Sequence, residues 1–162
     1  MAAMYQLSYA QLIPAPLPDV WQFFADPRNL ARITPPYMRF RITDYPEDAA
    51  FKDGMLIRYK VSPLLGIPLI WITRIEAVQP LKEFVDIQLK GPFTLWEHTH
   101  TFEEKNGQTL MKDHVRYLPP LGTMGSLAHV LFLRRQLEGI FSFRKKVIKE
   151  IFAQNNPGIK GL

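Results

Sequence analysis

The sequence predicts an α+β fold in which one long C-terminal helix lies on an antiparallel sheet. Asn106-Gly107 separates two runs of alternating polarity within Phe93 to Tyr117, and Asn-Gly favours a tight type I′ hairpin. Other alternating runs precede this hairpin with almost no helical crossovers between them, which favours antiparallel pairing. From Ser126 to about Phe152, apolar residues recur at spacings of three and four, as on an amphipathic helix.

The remaining elements can be placed in chain order. A first strand is expected from Tyr5 to Ile13, where a run of prolines ends it. Asp19 is expected to cap a short helix that stops at Asp26-Pro27, and Asn29 to Ile33 suits one more helical turn. Gly139 in the long helix indicates close packing or a bend. Further strands are predicted at Met38 to Asp44, Met55 to Val61, Leu69 to Val78 and Phe84 to Leu89.

A two-residue turn would set the register of the whole hairpin. Lys105 then lies opposite Gln108, and His100 lies opposite Asp113 on an otherwise aromatic and apolar face. The other pairs of this face are Phe102 with Met111, His98 with Val115, and Trp96 with Tyr117. The solvated face receives Glu97 with Arg116, Thr99 with His114, and Thr101 with Lys112.

The same register can be carried back into the preceding strands. It adds Phe84, Asp86 and Gln88 to the inner face, followed by Trp71, Thr73 and Ile75. The opposite face then holds Ile70, Ile72, Val85, Ile87 and Leu89, which is too apolar for bare solvent. Either the register slips by one residue or a partner covers that face.

The composition of the chain excludes several classes of protein. The chain has 162 residues and a formal net charge of +5, which favours one domain over residues 1–154 with a flexible tail at 155–162. Because it has no cysteine, disulfides and thiol catalysis are excluded, in agreement with a cytoplasmic location. We expect no signal peptide and no transmembrane helix. The late basic residues are interpreted as a solvated helix face and not as a nucleic-acid site: Arg134, Arg135, Arg144, Lys145, Lys146 and Lys149.

The order of motifs resembles the START-like (SRPBCC) superfamily over about Tyr5 to Phe152. This is the helix-grip fold of polyketide cyclases and coenzyme Q-binding proteins, and the chain is similar to bacterial ligand-binding members. Some of those are described by transfer as cell-division inhibitors. Four stretches carry the resemblance: Asp19 to Phe24 with Asn29-Leu30 and Thr34-Pro35-Pro36; Trp71 to Ile75; Gly91 to Phe102; and Asp113 to Tyr117 with Arg134 to Leu137.

The resemblance implies a seven-stranded antiparallel sheet wrapped around the C-terminal helix, with two short helices after the first strand. It also implies an elongated, largely apolar cavity between sheet and helix. Members of the superfamily bind lipids, quinones, polyketides or hydrophobic hormones. The resemblance supplies no universal catalytic residue, because one fold hosts many functions.

The candidate site is the polar set on the inner face of the hairpin. A histidine beside an aspartate can act as a general base, orient a ligand, or satisfy its own polarity inside the sheet. His98, His100 and Asp113 could also bind a metal, but no third neutral ligand is at hand, so we expect no metal and no cofactor. The predicted ligand-binding residues are Trp71, Asp86, Gln88, Trp96, His98, His100, Asp113, Tyr117 and Arg134.

Three functions follow from this set. We expect a binding protein for a hydrophobic small molecule (a lipid, a quinone or a polyketide-like compound) and not an enzyme. A cyclase or hydratase that uses His100 and Asp113 is the first alternative. The second is a protein-interaction module, related to cell division, that forms a homodimer or a heterocomplex through Ile70, Ile72, Val85 and Ile87.

Overall fold

The computed structural model describes residues 4–63, 66–120 and 132–154. A seven-stranded antiparallel sheet and a C-terminal helix make up the fold, as predicted. Along the sheet the strands are arranged β1-β7-β6-β5-β4-β3-β2. The strands are β1 (Tyr5–Ile13), β2 (Arg41–Asp44), β3 (Leu56–Val61), β4 (Leu69–Gln79), β5 (Glu83–Lys90), β6 (Leu95–Lys105) and β7 (Gln108–Leu118).

The helices lie at the two ends of the chain. Helix α1 (Leu17–Phe24) and two short 3-10 helices (Pro27–Ile33 and Pro36–Met38) follow β1, and helix α2 spans Arg134–Gln154. The prediction that Asp19 caps α1 is wrong: Pro16 is at the N-cap and Asp19 lies in the first turn, because Pro18 already suits the start of a helix. The predicted helix start from Ser126 to Leu131, and the tail at 155–162, lie outside the described residues.

The predicted hairpin register is confirmed at every pair. β6 and β7 pair from Trp96 opposite Tyr117 to Lys105 opposite Gln108, with His100 opposite Asp113. Asn106 and Gly107 both have positive φ, of 54° and 76°, as a type I′ turn requires. The register therefore follows from local turn chemistry combined with alternating polarity.

The predicted inner face of the earlier strands agrees with the strand pairing. Asp86 lies opposite His98 and Phe84 opposite His100, while Thr73 lies opposite Gln88 and Ile75 opposite Asp86. The pairing of β4 with β5 shifts between Ile72 and Thr73. The outer face keeps exposed apolar side chains, since Ile70 is 40% and Leu89 48% exposed.

Helix α2 packs on the inner face of the sheet through an aromatic stripe. Phe141 stacks on Tyr9 of β1, with ring centroids 4.7 Å apart, and meets the His98 ring at 5.5 Å. Phe152 contacts Phe23 of α1 at 5.3 Å. Of the two explanations for Gly139, close packing or a bend, close packing is wrong, since a methyl group added there would meet no atom of the described residues within 4 Å.

No helix among the described residues is long and apolar enough to span a membrane.

Candidate functional site

Two histidines and two aspartates meet on the inner face of the sheet. Strand alternation places His98 and His100 on the same side of β6, and their neighbours β5 and β7 supply Asp86 and Asp113. The histidine side chains are only 4% and 3% exposed, whereas those of Asp86 and Asp113 are 21% and 12% exposed. We call these four residues, together with Arg144, the polar cluster.

Each histidine contacts both carboxylates. His98 Nε2 lies 2.8 Å from Asp113 Oδ1, and His98 Nδ1 lies 3.6 Å from Asp86 Oδ2. His100 Nε2 lies 2.9 Å from Asp86 Oδ2, and His100 Nδ1 lies 3.1 Å from Asp113 Oδ1. The predicted His100–Asp113 pair is therefore one contact of four.

Arg144 of α2 completes the cluster and was missed by the sequence analysis, which grouped it with the solvated basic residues. It is 9% exposed. Its Nη2 lies 3.5 Å from His100 Nδ1 and 3.8 Å from Asp113 Oδ1, and its guanidinium lies 5.5 Å from the centre of the Phe24 ring. The sequence did contain a signal for the burial of Arg144. By helical spacing this residue falls in the apolar stripe formed by Leu137, Phe141, Ile148 and Phe152.

Burial and neighbouring charges set the protonation of the carboxylates. Burial by itself would raise the pKa of Asp113, but Arg144 and the two histidines hold that pKa well below its usual range. The pKa of Asp86 is likewise lowered, because His98, His100 and Arg144 outweigh the effect of burial. Both carboxylates are therefore ionised at neutral pH.

The two histidines differ in protonation although their ring centroids are 3.8 Å apart. Burial and the neighbouring His100 lower the pKa of His98. Burial also disfavours charge on His100, but its contacts with Asp113 and Asp86 outweigh that effect and raise its pKa. A neutral and a readily protonated imidazole thus lie side by side.

Aromatic rings surround the polar cluster. Phe84 stacks on His100 with ring centroids 4.3 Å apart, and Trp96 meets His98 edge-on at 6.3 Å. Trp96 also contacts Trp71 at 5.5 Å and Tyr117 at 6.0 Å. The predicted residues Trp71, Trp96 and Tyr117 are thus brought together on the inner face.

Gln88 and Arg134 differ from the other predicted site residues. The Gln88 side chain is engaged by the loop after β5: its Nε2 donates to the Phe93 carbonyl at 2.7 Å, and its Oε1 accepts from the Phe93 N–H at 3.3 Å. The Arg134 side chain is 63% exposed and pairs with Glu138 at 3.0 Å. Arg134 therefore lies outside the polar cluster.

Three buried polar groups have no hydrogen-bond partner among the described residues. They are Trp71 Nε1, Arg144 Nε and Tyr9 Oη. All three belong to inner-face or α2 side chains, and Tyr9 lies opposite Asp113 across β1 and β7. Buried polar groups are nearly always hydrogen-bonded, so these three groups lack a partner that a folded protein usually supplies.

Two depressions are lined by described residues. One, of about 370 Å³, lies at the outer side of β1, β7 and β6, between Ser8, Thr99 and His114. The other, of about 510 Å³, lies between α1 and the end of α2, beside Asp19, Phe23 and Phe152. Neither is the cavity expected between the sheet and α2, which stays a prediction.

The seven-stranded antiparallel sheet with a C-terminal helix defines the class of protein: a START-like, helix-grip domain. The family model "Polyketide cyclase / dehydrase and lipid transport" matches residues 13–141, so the chain belongs to that family. No curated protein matches the sequence.

Solved structures share the fold at low sequence identity. The chain is similar to the Zhui aromatase/cyclase from Streptomyces, with 16% identity, a TM-score of 0.74, and coverage of 99% of this chain and 100% of that one. It is also similar to two proteins from Mycobacterium smegmatis. One is a START superfamily protein with 13% identity, a TM-score of 0.67 and coverage of 93% and 98%. The other, protein Ms6760, has 21% identity, a TM-score of 0.68 and coverage of 93% and 92%.

Proposed function

We propose that the chain binds a hydrophobic small molecule, such as a lipid, a quinone or a polyketide-like compound, between the sheet and α2. The buried donors without partners carry this proposal: Trp71 Nε1 and Arg144 Nε. Each leaves a desolvated N–H group, which costs about 1–3 kcal/mol until an acceptor reaches it. A ligand with an apolar body and one or two oxygen atoms supplies such acceptors.

The surroundings of these donors suit such a ligand. Trp71 contacts Tyr59, Phe93 and Trp96, with ring centroids 5.5–5.8 Å apart, so an aromatic or polyketide-like body would find flat apolar surfaces. Binding sites of this kind are apolar with a few convergent polar groups. The family description includes both cyclases and lipid transport. We place this binding in the cytoplasm, in line with the lack of cysteine.

The test compares two tryptophan variants. Palmitic acid, menadione and emodin represent the three ligand classes, and calorimetric titration would measure their dissociation constants. We expect saturable binding of at least one of them. Trp71→Phe removes the N–H donor but keeps an aromatic ring, so the dissociation constant should rise about fivefold, which corresponds to one hydrogen bond. Trp21→Phe is the matched control, because Trp21 packs instead on Phe51, Phe84 and Phe102.

The proposal would fail if none of the three compounds binds saturably and native mass spectrometry of protein purified from cells shows no co-purifying apolar compound. If Trp71→Phe and Trp21→Phe weaken ligand binding equally, the Trp71 N–H group does not bond the ligand.

One observation favours an enzyme of the cyclase or hydratase type as the second candidate. The pKa values of His98 and His100 are shifted in opposite directions, and such pairs supply a base and an acid in many active sites. With a linear polyketide thioester as substrate, His100→Ala should abolish turnover and leave substrate affinity nearly unchanged. His114→Ala is the control, because His114 faces outward and contacts Ser8 at 2.9 Å. Full turnover in His100→Ala would exclude this candidate.

The dimer hypothesis stays a prediction. Ile70 and Leu89 are 40% and 48% exposed on the outer face. Light scattering over a range of protein concentrations would reveal a homodimer, and Ile70→Lys would then be expected to dissociate it.

A further inference from the structure

The two histidines of the polar cluster share one orientation pattern. Each turns one ring nitrogen toward Asp113, His98 through Nε2 at 2.8 Å and His100 through Nδ1 at 3.1 Å. Each turns its other nitrogen toward Asp86, at 3.6 Å from His98 Nδ1 and 2.9 Å from His100 Nε2. One carboxylate thus orients both rings, and the second nitrogens converge on the other carboxylate.

Metal-binding histidines in proteins have this arrangement. A histidine that ligates a metal through one nitrogen donates its other N–H to a carboxylate or a carbonyl, which fixes the tautomer and the ring orientation. Asp113 accepts from His98 Nε2 at 2.8 Å and lies 3.1 Å from His100 Nδ1. Arg144 lies 3.8 Å from Asp113 Oδ1, so the two charges partly balance one another.

The two nitrogens of His98 have different surroundings. A carboxylate accepts a hydrogen bond from the imidazole, so the Nε2 atom at 2.8 Å from Asp113 is the donor of that bond. The Nδ1 atom lies 3.6 Å from Asp86 Oδ2, which is too long for a hydrogen bond. This gap between a ring nitrogen and a carboxylate oxygen is where a shared cation would lie.

The geometry points to a metal site, and we propose that Asp86, His98 and His100 bind a divalent first-row transition-metal ion. One ligand atom from each of the three residues lies within 4.8 Å of the other two. Ligand atoms about 2.1 Å from a metal lie about 3.0–3.4 Å apart. The contacts of Asp86 Oδ2 with the two histidines, 2.9 and 3.6 Å, bracket that range.

The donor set indicates which ions fit. Two imidazoles and one carboxylate suit Zn²⁺, Fe²⁺ or Co²⁺ and leave further coordination positions open, whereas Mg²⁺ and Ca²⁺ prefer oxygen ligands. Binding replaces a proton on His100 Nε2, which is released to solvent. This inference differs from the expectation drawn from the sequence that no metal is bound. That expectation considered Asp113 as the carboxylate ligand beside the two histidines, whereas the proposed site uses Asp86. It goes beyond the proposed function and does not rest on it.

The test uses Zn²⁺ and Co²⁺ alone, on the full chain freed of metal with EDTA and with no organic ligand present. We expect one equivalent of Zn²⁺ to bind with a micromolar or lower dissociation constant, and Co²⁺ to give visible absorption bands. Asp86→Asn keeps the shape of the side chain and should raise the Zn²⁺ dissociation constant more than 100-fold. Asp113→Asn should raise it about 10- to 100-fold, because it only positions the two rings.

His114→Ala is the matched control and should leave the affinity unchanged, because His114 lies on the outer face. X-ray absorption at the zinc edge of the unmutated protein should show two imidazoles and one carboxylate, and this measurement decides the case if Asp86→Asn does not fold. Absence of saturable Zn²⁺ binding, or binding lost in His114→Ala but kept in Asp86→Asn, would overturn the proposal.

Discussion

Arg144 is the residue whose replacement tests the polar cluster most directly. Arg144→Met keeps the apolar stem and removes the guanidinium that lies 3.8 Å from Asp113 and 3.5 Å from His100. The change leaves a carboxylate in a buried position with fewer positive neighbours. Removing one partner of a buried ion pair costs about 3–5 kcal/mol.

We expect Arg144→Met to lose less free energy of unfolding than this range, because Asp113 keeps other partners. Asp113 retains His98 at 2.8 Å and His100 at 3.1 Å, and both Arg144 distances exceed those of a short charge-assisted hydrogen bond. We therefore expect Arg144→Met to lower the free energy of unfolding by about 2–3 kcal/mol. For a domain of this size the melting temperature should fall by about 4–12 °C.

Arg134→Met on the same helix is the matched control. Arg134 is 63% exposed and its partner Glu138 is 47% exposed, so the loss should stay below about 0.5 kcal/mol. Urea unfolding at pH 7, followed by tryptophan fluorescence, measures both variants. In the double variant Arg144→Met with Asp113→Asn the losses should not add, since no unpaired carboxylate remains. Equal losses for Arg144→Met and Arg134→Met would refute the reasoning.

Three further predictions concern glycines and acid. Gly139→Ala should raise the free energy of unfolding, measured in urea, by about 1 kcal/mol, because the added methyl group meets no atom of the described residues within 4 Å and alanine favours the helix; a lower free energy of unfolding would contradict the open site. Gly91→Ala should lower the free energy of unfolding by about 1–2 kcal/mol. The new Cβ would lie 2.6 Å from Gln88 Cδ and would displace the hydrogen bonds of Gln88 to the following loop. When Gln88→Ala is already present, Gly91→Ala should cause no further loss. With EDTA present, stability should fall as the pH drops below about 4. The pKa values of Asp86 and Asp113 are lowered in the folded protein, so as the pH falls the unfolded chain binds protons before the folded chain does. In thermal melts at acid pH, the stability of Asp113→Asn should depend less on pH than that of the unmutated protein.

Much of the site could be predicted because strand pairing transmits register. One Asn-Gly turn placed His100 opposite Asp113, and the next antiparallel pairings extended the inner face to Asp86 and Thr73. The period of two then decided which side chains share a face. Gln88 shows the limit of this reasoning: its face is as predicted, but its amide turns back to the Phe93 backbone, and a face does not specify a hydrogen-bond partner.

The contacts within the hairpin show the same limit. Facing positions suggested one His100–Asp113 pair, whereas the side chains also reach diagonally, from His98 to Asp113 at 2.8 Å and from His100 to Asp86 at 2.9 Å. Diagonal neighbours across a sheet lie within reach of long side chains. Which of them bond depends on rotamers that only the packed interior selects.

The sequence by itself determined the α+β class, the order of the elements and the register of the central hairpin, because turn chemistry and alternation act between neighbours in the chain. The helical period places Arg144 in the apolar stripe, but the tertiary structure alone decided that its charge meets Asp113 while Arg134 stays exposed. The rotation of α2 about its axis depends on how Phe141 and Phe152 pack against distant elements. That rotation brings a charge to Asp113 and completes a polar cluster assembled from β5, β6, β7 and α2.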